Sequence, residues 1–479
     1  MHMVGALLAN LSRNQLHLLR RMDSHKNTNG QGSPEQRTAE LADTLEAASA
    51  LGRDPGVIQI ARLAGLLHDL GHAPFSHSGE RFLPSWEAIA LDLDKGTRSQ
   101  SLGWIPDWLR EALLRKIERT QSQATGTHAH GLLKPVKHEF YSLLMIADLF
   151  AGPNRMPSLP GDMGQDVASL LDEDISMRPD SPLARHGVRT LLSQLVTGEI
   201  DADRMDYLRR DATHCGVVYG LFDSSRICEA VLFYRDLRTK ELNLAIHESG
   251  LAAYEDFLRA RMSMYRQVYF HKTSTACEAM LSNIRKKIGN FVLPIDIKQY
   301  LDFDDESFYF KLHGSMPHNV EAADGELRSL LFNRQLWKRV YEENHATVRF
   351  PRSPSLTMGV LQFLRRKGLA AEIIESETSL TRFSPKGRAR PQAAFSMNSL
   401  KVFVKQQNGS MKVLPIEDYS RLINDLDEER TVQRVFVDPT HCQIGQVRSA
   451  IARYIGSPEA DTEHPTAGGS GLPEQDVWR

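Results

Sequence analysis

Residues 68–80 read His68-Asp69-Leu70-Gly71-His72-Ala73-Pro74-Phe75-Ser76-His77-Ser78-Gly79-Glu80. Just upstream, Ile58, Ile60, Leu63, Leu66 and Leu67 predict a helix over about 55–70 that Gly71 and Pro74 bring to a close. An adjacent His-Asp at a helix end offers one neutral imidazole and one carboxylate to a single divalent ion. His72 lies one turn beyond His68 and leans over the same spot. Past Pro74, His77 begins another turn. Glu80, three residues on, can hydrogen-bond its ring and raise its basicity. A single His at a helix end is ordinarily a solvated residue. Three His, an Asp and a Glu crowded around a Gly and a Pro point instead to a site.

Around this stretch the pattern is mostly helical. Val4, Leu7, Leu8, Leu11 and Leu18 predict a first helix over 3–20, and a second covers about 37–51. Residues 24–36 and 92–134 read as inserts, the latter holding an amphipathic piece from Trp104 to Ile117. Helices are expected at 138–151, 165–172, 186–197 and 201–213, and a long one at about 250–288. After residue 290 short strand-like runs appear at 308–312, 400–405, 412–414 and 434–437. Helical patches at 326–341, 355–366, 416–426 and 444–454 interleave with them. The expectation is a mainly α core over 1–290, a smaller α+β region over 291–455 and a disordered polar tail over 456–479.

Composition narrows the classes. The 479 residues carry 58 Lys+Arg against 60 Asp+Glu, so a dedicated basic nucleic-acid binder is excluded and only a local basic patch stays open. One such patch is Ser384-Pro385-Lys386-Gly387-Arg388-Ala389-Arg390-Pro391, for which a solvated loop is the plainer reading. Four scattered Cys without a CxxC pair exclude a disulfide framework and a Cys-rich zinc site, and fit a reducing, cytoplasmic compartment. No apolar run is long enough to span a membrane.

Two further clusters carry charge. In Asp201-Ala202-Asp203-Arg204-Met205-Asp206-Tyr207-Leu208-Arg209-Arg210-Asp211, helical spacing sets Asp203, Tyr207 and Arg210 or Asp211 on one face; a salt-bridged solvated face is the competing reading. Lys137-His138-Glu139 opens a helix, and its lone His reads by itself as a surface residue. On the long helix, Arg261, Tyr265 and Tyr269 recur every four residues ahead of His271 and Lys272; amphipathic packing alone accounts for such a stripe.

Taken together, HDLGHAPFSHSGE, the KHE and DADRMDYLRRD resemble the HD-domain phosphohydrolases, and within them the deoxynucleoside triphosphate triphosphohydrolase branch that includes the bacterial dGTPases. The resemblance covers about residues 2–290. It implies a helical HD core whose metal ligands are His2, His68, Asp69 and Asp203, with His17 and His25 as fallbacks for His2. It implies a catalytic dyad of His77 and Glu80, with His72 and His138 on the α-phosphate side. Arg204, Tyr207, Asp211, Arg261, Tyr265, Tyr269 and Lys272 fall where the family contacts phosphates and sugar.

The implied cofactors are a divalent transition metal (Fe, Mn or Zn) and Mg²⁺ on the triphosphate. The implied partners are a nucleotide substrate, a nucleotide activator and further copies of the chain in a homo-oligomer. The implied reaction releases deoxynucleoside and inorganic triphosphate. Two alternatives stay open: an HD phosphohydrolase of another nucleotide or phosphate ester, and a non-catalytic nucleotide-sensing scaffold. The family's Arg before the first His has no counterpart ahead of His2, so the expectation is that the true start lies upstream of Met1.

Overall fold

The structure is a computed structural model. It describes residues 1–24, 34–94, 101–122, 133–236, 238–288, 291–314, 321–346, 356–378, 400–407, 411–426 and 430–456. Residues 25–33 of the first insert (with His25), 95–100 and 123–132 of the second, the Ser384–Pro391 loop and the C-terminal tail after residue 456 lie outside the described residues.

The chain opens on α1 (His2–Ser24), α2 (Pro34–Arg53) and α3 (Pro55–Leu67). One face of α1 buries Val4, Leu7, Leu8 and Leu11. Gly65 leaves room for the Val4 side chain and Gly5 faces Arg62, so α1 runs antiparallel to α3. Asp54 starts α3: its Oδ1 accepts from Gly56 N at 2.8 Å and Val57 N at 3.3 Å, with Pro55 in the first turn. Apolar spacing predicted this helix to about residue 70. It ends at Leu67, and residues 68–71 form a turn.

Next come α4 (Trp86–Asp94), α5 (Asp107–Ser122) and α6 (His138–Ala151), the last buried along most of its length. Then follow α7 (Met163–Leu171), α8 (Pro182–His186), α9 (Arg189–Thr197) and α10 (Ala202–Cys215). Asp201 caps α10 by accepting from Arg204 N at 2.7 Å, and Gly216, at φ +67°, closes it in a left-handed turn that suits glycine. After α11 (Ser224–Ala230) come β1 (Val231–Arg235) and β2 (Leu242–His247), then α12 (Leu251–Met264). The predicted continuous helix over 250–288 is interrupted: Tyr265–Tyr269 form a π-turn, and α13 (Lys272–Ile288) follows.

The remainder holds α14 (Ile297–Leu301), α15 (Asp305–Gly314), α16 (Glu321–Arg328), β3 (Lys338–Ala346), α17 (Leu356–Arg366), β4 (Ala371–Thr378), β5 (Lys401–Lys405), β6 (Met411–Pro415), α18 (Ile416–Tyr419), α19 (Arg421–Leu426), β7 (Arg430–Val437) and α20 (Ile444–Ile455). Two expectations fail here. Residues 308–312, predicted as a strand, lie in α15. Asp304 and Ser307 cap that helix reciprocally: Asp304 Oδ1 accepts from Ser307 N at 2.6 Å and Ser307 Oγ from Asp304 N at 2.8 Å. The predicted helix over 326–341 breaks at a π-turn, Ser329–Asn333, and continues as β3, held by antiparallel pairing with β7.

The fold is mainly α with a smaller α+β part, in two compact units. The first comprises Met1–Met264, Leu293–Asp302 and Leu380–Asp427; the second comprises Tyr265–Val292, Phe303–Ser379 and Glu428–Arg479. This division differs from the single break expected at residue 290. In the first unit a sheet of order β1-β2-β5-β6 pairs β5 in parallel with β2, so residues 401–415 return to the helical core. In the second, β3-β7-β4 is antiparallel, and Val360, Leu364, Val435, Val437, Val447 and Ile451 form one apolar cluster.

Asp54→Ala is expected to lower the unfolding free energy by about 1 kcal/mol at pH 7, read from urea denaturation. Burial pushes the Asp54 carboxyl up, but hydrogen bonds from His186, Val57 and Gly56 outweigh it and hold the group below its ordinary range. A depressed carboxylate contributes in full above the unfolded value of about 3.9, so the gap between variant and wild type should close as pH falls below it.

Candidate metal centre

The site grows from the turn after α3. Gly71 lies so near the first turn of α6 that an ideal Cβ would fall 2.2 Å from His138 O and 2.2 Å from Ser142 N. Only glycine permits this approach. Gly71 N donates to Ser142 Oγ at 3.0 Å, and Gly71 O accepts from Tyr300 Oη at 2.8 Å. The chain then doubles back through Phe75 and Ser76, both in left-handed conformation at φ +62° and +55°, into a 3₁₀ turn over Ser76–Phe82. Non-glycine residues held in this region mark strain that the surrounding structure must impose.

These constraints bring two groups of side chains together. In the first, His68 Nε2 stands 3.4 Å from Asp69 Oδ2 and 3.5 Å from Asp203 Oδ1, on the first turn of α10. Both His68 ring nitrogens are buried without a hydrogen-bond partner. A buried polar group left in this state costs about 1–3 kcal/mol. A cation shared by Nε2 and the two carboxylates would remove that cost at Nε2, and an imidazole with two carboxylates suits a divalent transition metal. Each of the three offers a ligand atom within 4.8 Å of the others. Burial pushes His68 down, but Asp203 and Asp69 outweigh it and raise its pKa.

The second group is His72, His77, Glu80 and His138. Glu80 Oε1 lies 2.6 Å from His138 Nδ1 and 3.2 Å from His77 Nδ1, so one carboxylate holds two imidazoles. His72 stacks on His138 with ring centroids 3.9 Å apart. Asp69 joins the two groups: its Oδ1 stands 3.5 Å from His138 Nε2 while its Oδ2 faces His68. Burial disfavours the charged form of each group, yet the mutual contacts win for Glu80 and Asp69, which are held below the ordinary carboxylate range. They win for His138 too, which is held up at about 9. His72 moves the other way, lowered by burial and by the neighbouring His138.

Other sequence-derived positions are more scattered. His138, which reads as a surface residue by itself, is buried beneath the turn. His2 is exposed at the start of α1 and is not in the His68 group; His17 is also exposed. Arg204 is buried, with Nε 3.3 Å from Asp201 Oδ2, whereas Asp206 and Arg210 pair across an exposed face at 3.0 Å. Tyr207 and Asp211 are partly buried, and Arg210 Nε lies 3.2 Å from Asp211 Oδ1. Arg261 is buried in the first unit. Tyr265, Tyr269 and Lys272 belong to the second, where the two tyrosine rings meet edge-on at 5.0 Å.

Sequence reading missed several participants. Glu199 hydrogen-bonds Tyr254, and Arg204 and Arg261 lie near enough to act on the same phenol; all four are buried. Ser142 and Tyr300, which fasten Gly71, were missed as well, and so was Tyr141, whose ring stacks on Tyr300. Ser142 and Tyr141 sit in the helix begun by His138, and helical spacing could have placed them near it. Tyr300 gave no signal.

The HD domain family matches residues 22–96, and the HD associated region matches residues 223–359. The Bacillus subtilis uncharacterized protein YwfO is 32% identical over 226 residues, covering 47% of this chain and 36% of its own. MJ1154 of Methanocaldococcus jannaschii, also uncharacterized, is 33% identical over 137 residues, 28% of this chain and 30% of its own. The Danio rerio deoxynucleoside triphosphate triphosphohydrolase SAMHD1 is 26% identical over 312 residues, 60% of this chain and 43% of its own. The chain spans less than half the length of each of these three relatives. Residues 22–96 thus carry an HD domain, and over 60% of its length the chain is similar to a deoxynucleoside triphosphate triphosphohydrolase.

Gly71→Ala should be strongly destabilising. The added methyl meets backbone rather than a movable side chain, and an overpacked core site costs about 1–3 kcal/mol or more. The check is the thermal unfolding midpoint; a variant melting with the wild type would show that the turn is not pinned against α6.

Proposed function

We propose that this chain hydrolyses deoxynucleoside triphosphates to deoxynucleoside and inorganic triphosphate. The observation that carries the reading is the placement of His77, Glu80 and His138 beside His68, Asp69 and Asp203, with Asp69 shared by the two groups. That pairs a metal-ligating set with a proton-transferring set. The likeness to SAMHD1 proteins supports the choice of substrate.

His68, Asp69 and Asp203 are the proposed ligands of Fe, Mn or Zn, with His2 as a further donor from the helix antiparallel to α3. When bound, such an ion supplies Lewis-acid polarisation of a phosphate oxygen and lowers the pKa of a water. His77 presents its Nδ1 to Glu80, and its side chain is 74% exposed, so Nε2 is open to substrate. It protonates the 5′ oxygen as that oxygen leaves, and Glu80 stabilises the imidazolium that supplies the proton. His138, charged at neutral pH through Glu80 and Asp69, offsets charge at the reacting phosphate. Arg204 and Arg261 place positive charge toward the triphosphate. A homo-oligomer and a nucleotide activator belong to the same reading.

The test is incubation of the Mn²⁺-loaded full chain with a mixture of dNTPs, with products separated by anion exchange. Inorganic triphosphate with deoxynucleoside is the expected result. Orthophosphate would point to another phosphate ester as substrate, and no turnover of any nucleotide by metal-loaded protein would sink the proposal. His77→Ala should lower kcat by about 10²–10⁴-fold with little change in KM, in line with loss of a general acid.

A further inference from the structure

We propose that Tyr300 is a positioning residue for the metal centre, acting through the peptide of Gly71. The inference rests on the reading that His68, Asp69 and Asp203 hold a divalent ion. It adds a residue more than two hundred positions away in the chain, within the matched HD associated region and not in the HD motif.

The four residues His68–Gly71 form a turn rather than a helix end continued by regular bonding. His68 N still donates to Ala64 O at 3.1 Å, but beyond it the local ties are two backbone bonds at 3.3 Å, Leu70 N to Leu67 O and His72 N to Asp69 O. Such long bonds hold the turn weakly by themselves. The shorter bonds come from elsewhere in the unit. Ser142 Oγ takes the Gly71 amide, and the Tyr300 hydroxyl gives its proton to the Gly71 carbonyl at 2.8 Å.

Tyr300 is itself over-determined. Its ring stacks on Tyr141 with centroids 3.7 Å apart and planes 13° from parallel. Tyr141 Oη in turn donates to Pro294 O at 2.7 Å, which fastens the start of the segment that carries Tyr300. Both tyrosines are almost fully buried. Burial pushes each phenol well above its ordinary value, so each remains a proton donor throughout the working pH range.

Asp69 and His72 flank this peptide on either side. Asp69 sends one carboxylate oxygen to each group of the site, so a small rotation of the turn misaligns both. Outer partners that orient metal ligands typically account for about 10–100-fold in metal affinity. Removing the Tyr300 hydroxyl leaves the Gly71 carbonyl buried without its donor while the stack and its apolar contacts stay.

The experiment measures Mn²⁺ binding to the full chain from the electron paramagnetic resonance signal of free Mn²⁺, for wild type, Tyr300→Phe, Tyr141→Phe and His68→Ala. Tyr300→Phe is expected to bind about tenfold or more weakly while melting as a folded protein. Tyr141→Phe, the same chemical change in the same stack but on the Pro294 carbonyl, should bind as wild type, and His68→Ala should not bind. A folded Tyr300→Phe with wild-type affinity overturns the inference, as does an equal loss in Tyr141→Phe. Wild-type protein that binds no Mn²⁺ overturns the metal reading and this inference with it. If Tyr300→Phe does not fold, Ser142→Ala tests the same peptide from its amide side and is expected to weaken Mn²⁺ binding as well; wild-type affinity there overturns the proposal.

Discussion

Gly71 meets the backbone of α6 with no room for a side chain, and this contact sets the terms for everything around it. Because the peptide must reach His138 O and Ser142 N, α3 cannot continue past Leu67 as its apolar spacing would allow. The turn that results leaves His68 at the C-cap of α3 with its Nε2 free of any hydrogen bond, the state a ligand atom requires. The same contact brings His138 from the start of α6 under the ring of His72. The left-handed pair Phe75 and Ser76 then reverses the chain and returns Glu80 to His138. A local strain is tolerated because packed backbone on both sides leaves no alternative path.

The second feature is the economy of charge. Asp69 and Glu80 are acceptors with imidazoles on two sides, and each stays ionised although burial opposes it. His138 sits between them and is held charged, while His72, stacked against it, is held neutral more readily than an exposed histidine. Neighbouring rings pushed in opposite directions are what separate acid and base roles require. The balance belongs to the protein alone. A divalent cation beside Asp69 would draw charge from that carboxylate and so weaken its hold on His138, which couples metal occupancy to the protonation of the second group.

Much of this was legible in the order of residues. A His-Asp pair before a Gly and a Pro announces a helix end with ligands on it, and Asp203 follows a capping Asp201 at a helix start. What could not be read is what long-range contacts decide. The pairing of Glu80 with His138 joins residues 58 apart, and no spacing rule shows it. The mixture of acids and bases in 201–211 looked uniform in sequence, yet the structure separates it into a buried Asp201–Arg204 pair and an exposed Asp206–Arg210 pair. Strand assignments failed for a similar reason. β3 is rich in charged residues and becomes a strand through its partner β7, whereas the aromatic run at 308–312 is overruled by the reciprocal Asp304–Ser307 cap.

Domain boundaries inferred from a change of texture assume that each compact unit is one stretch of chain. Here the texture does change near residue 290, but Leu293–Asp302 is part of the first unit, bonded through Leu293 N to Phe82 O at 2.7 Å and through Tyr300 to Gly71. The return of β5 to pair with β2 makes the same point from the other end of the chain. The bonds to the Phe82 and Gly71 carbonyls, one from the Leu293 amide and one from the Tyr300 hydroxyl, bracket residues 71–82, the span that carries His72, His77 and Glu80. The His–Glu turn is therefore secured at both ends, and the His68–Gly71 turn at its far end, by a ten-residue segment that the motif itself does not include. A core cut at residue 290 would keep every side chain assigned to the chemistry and lose the contacts that aim them.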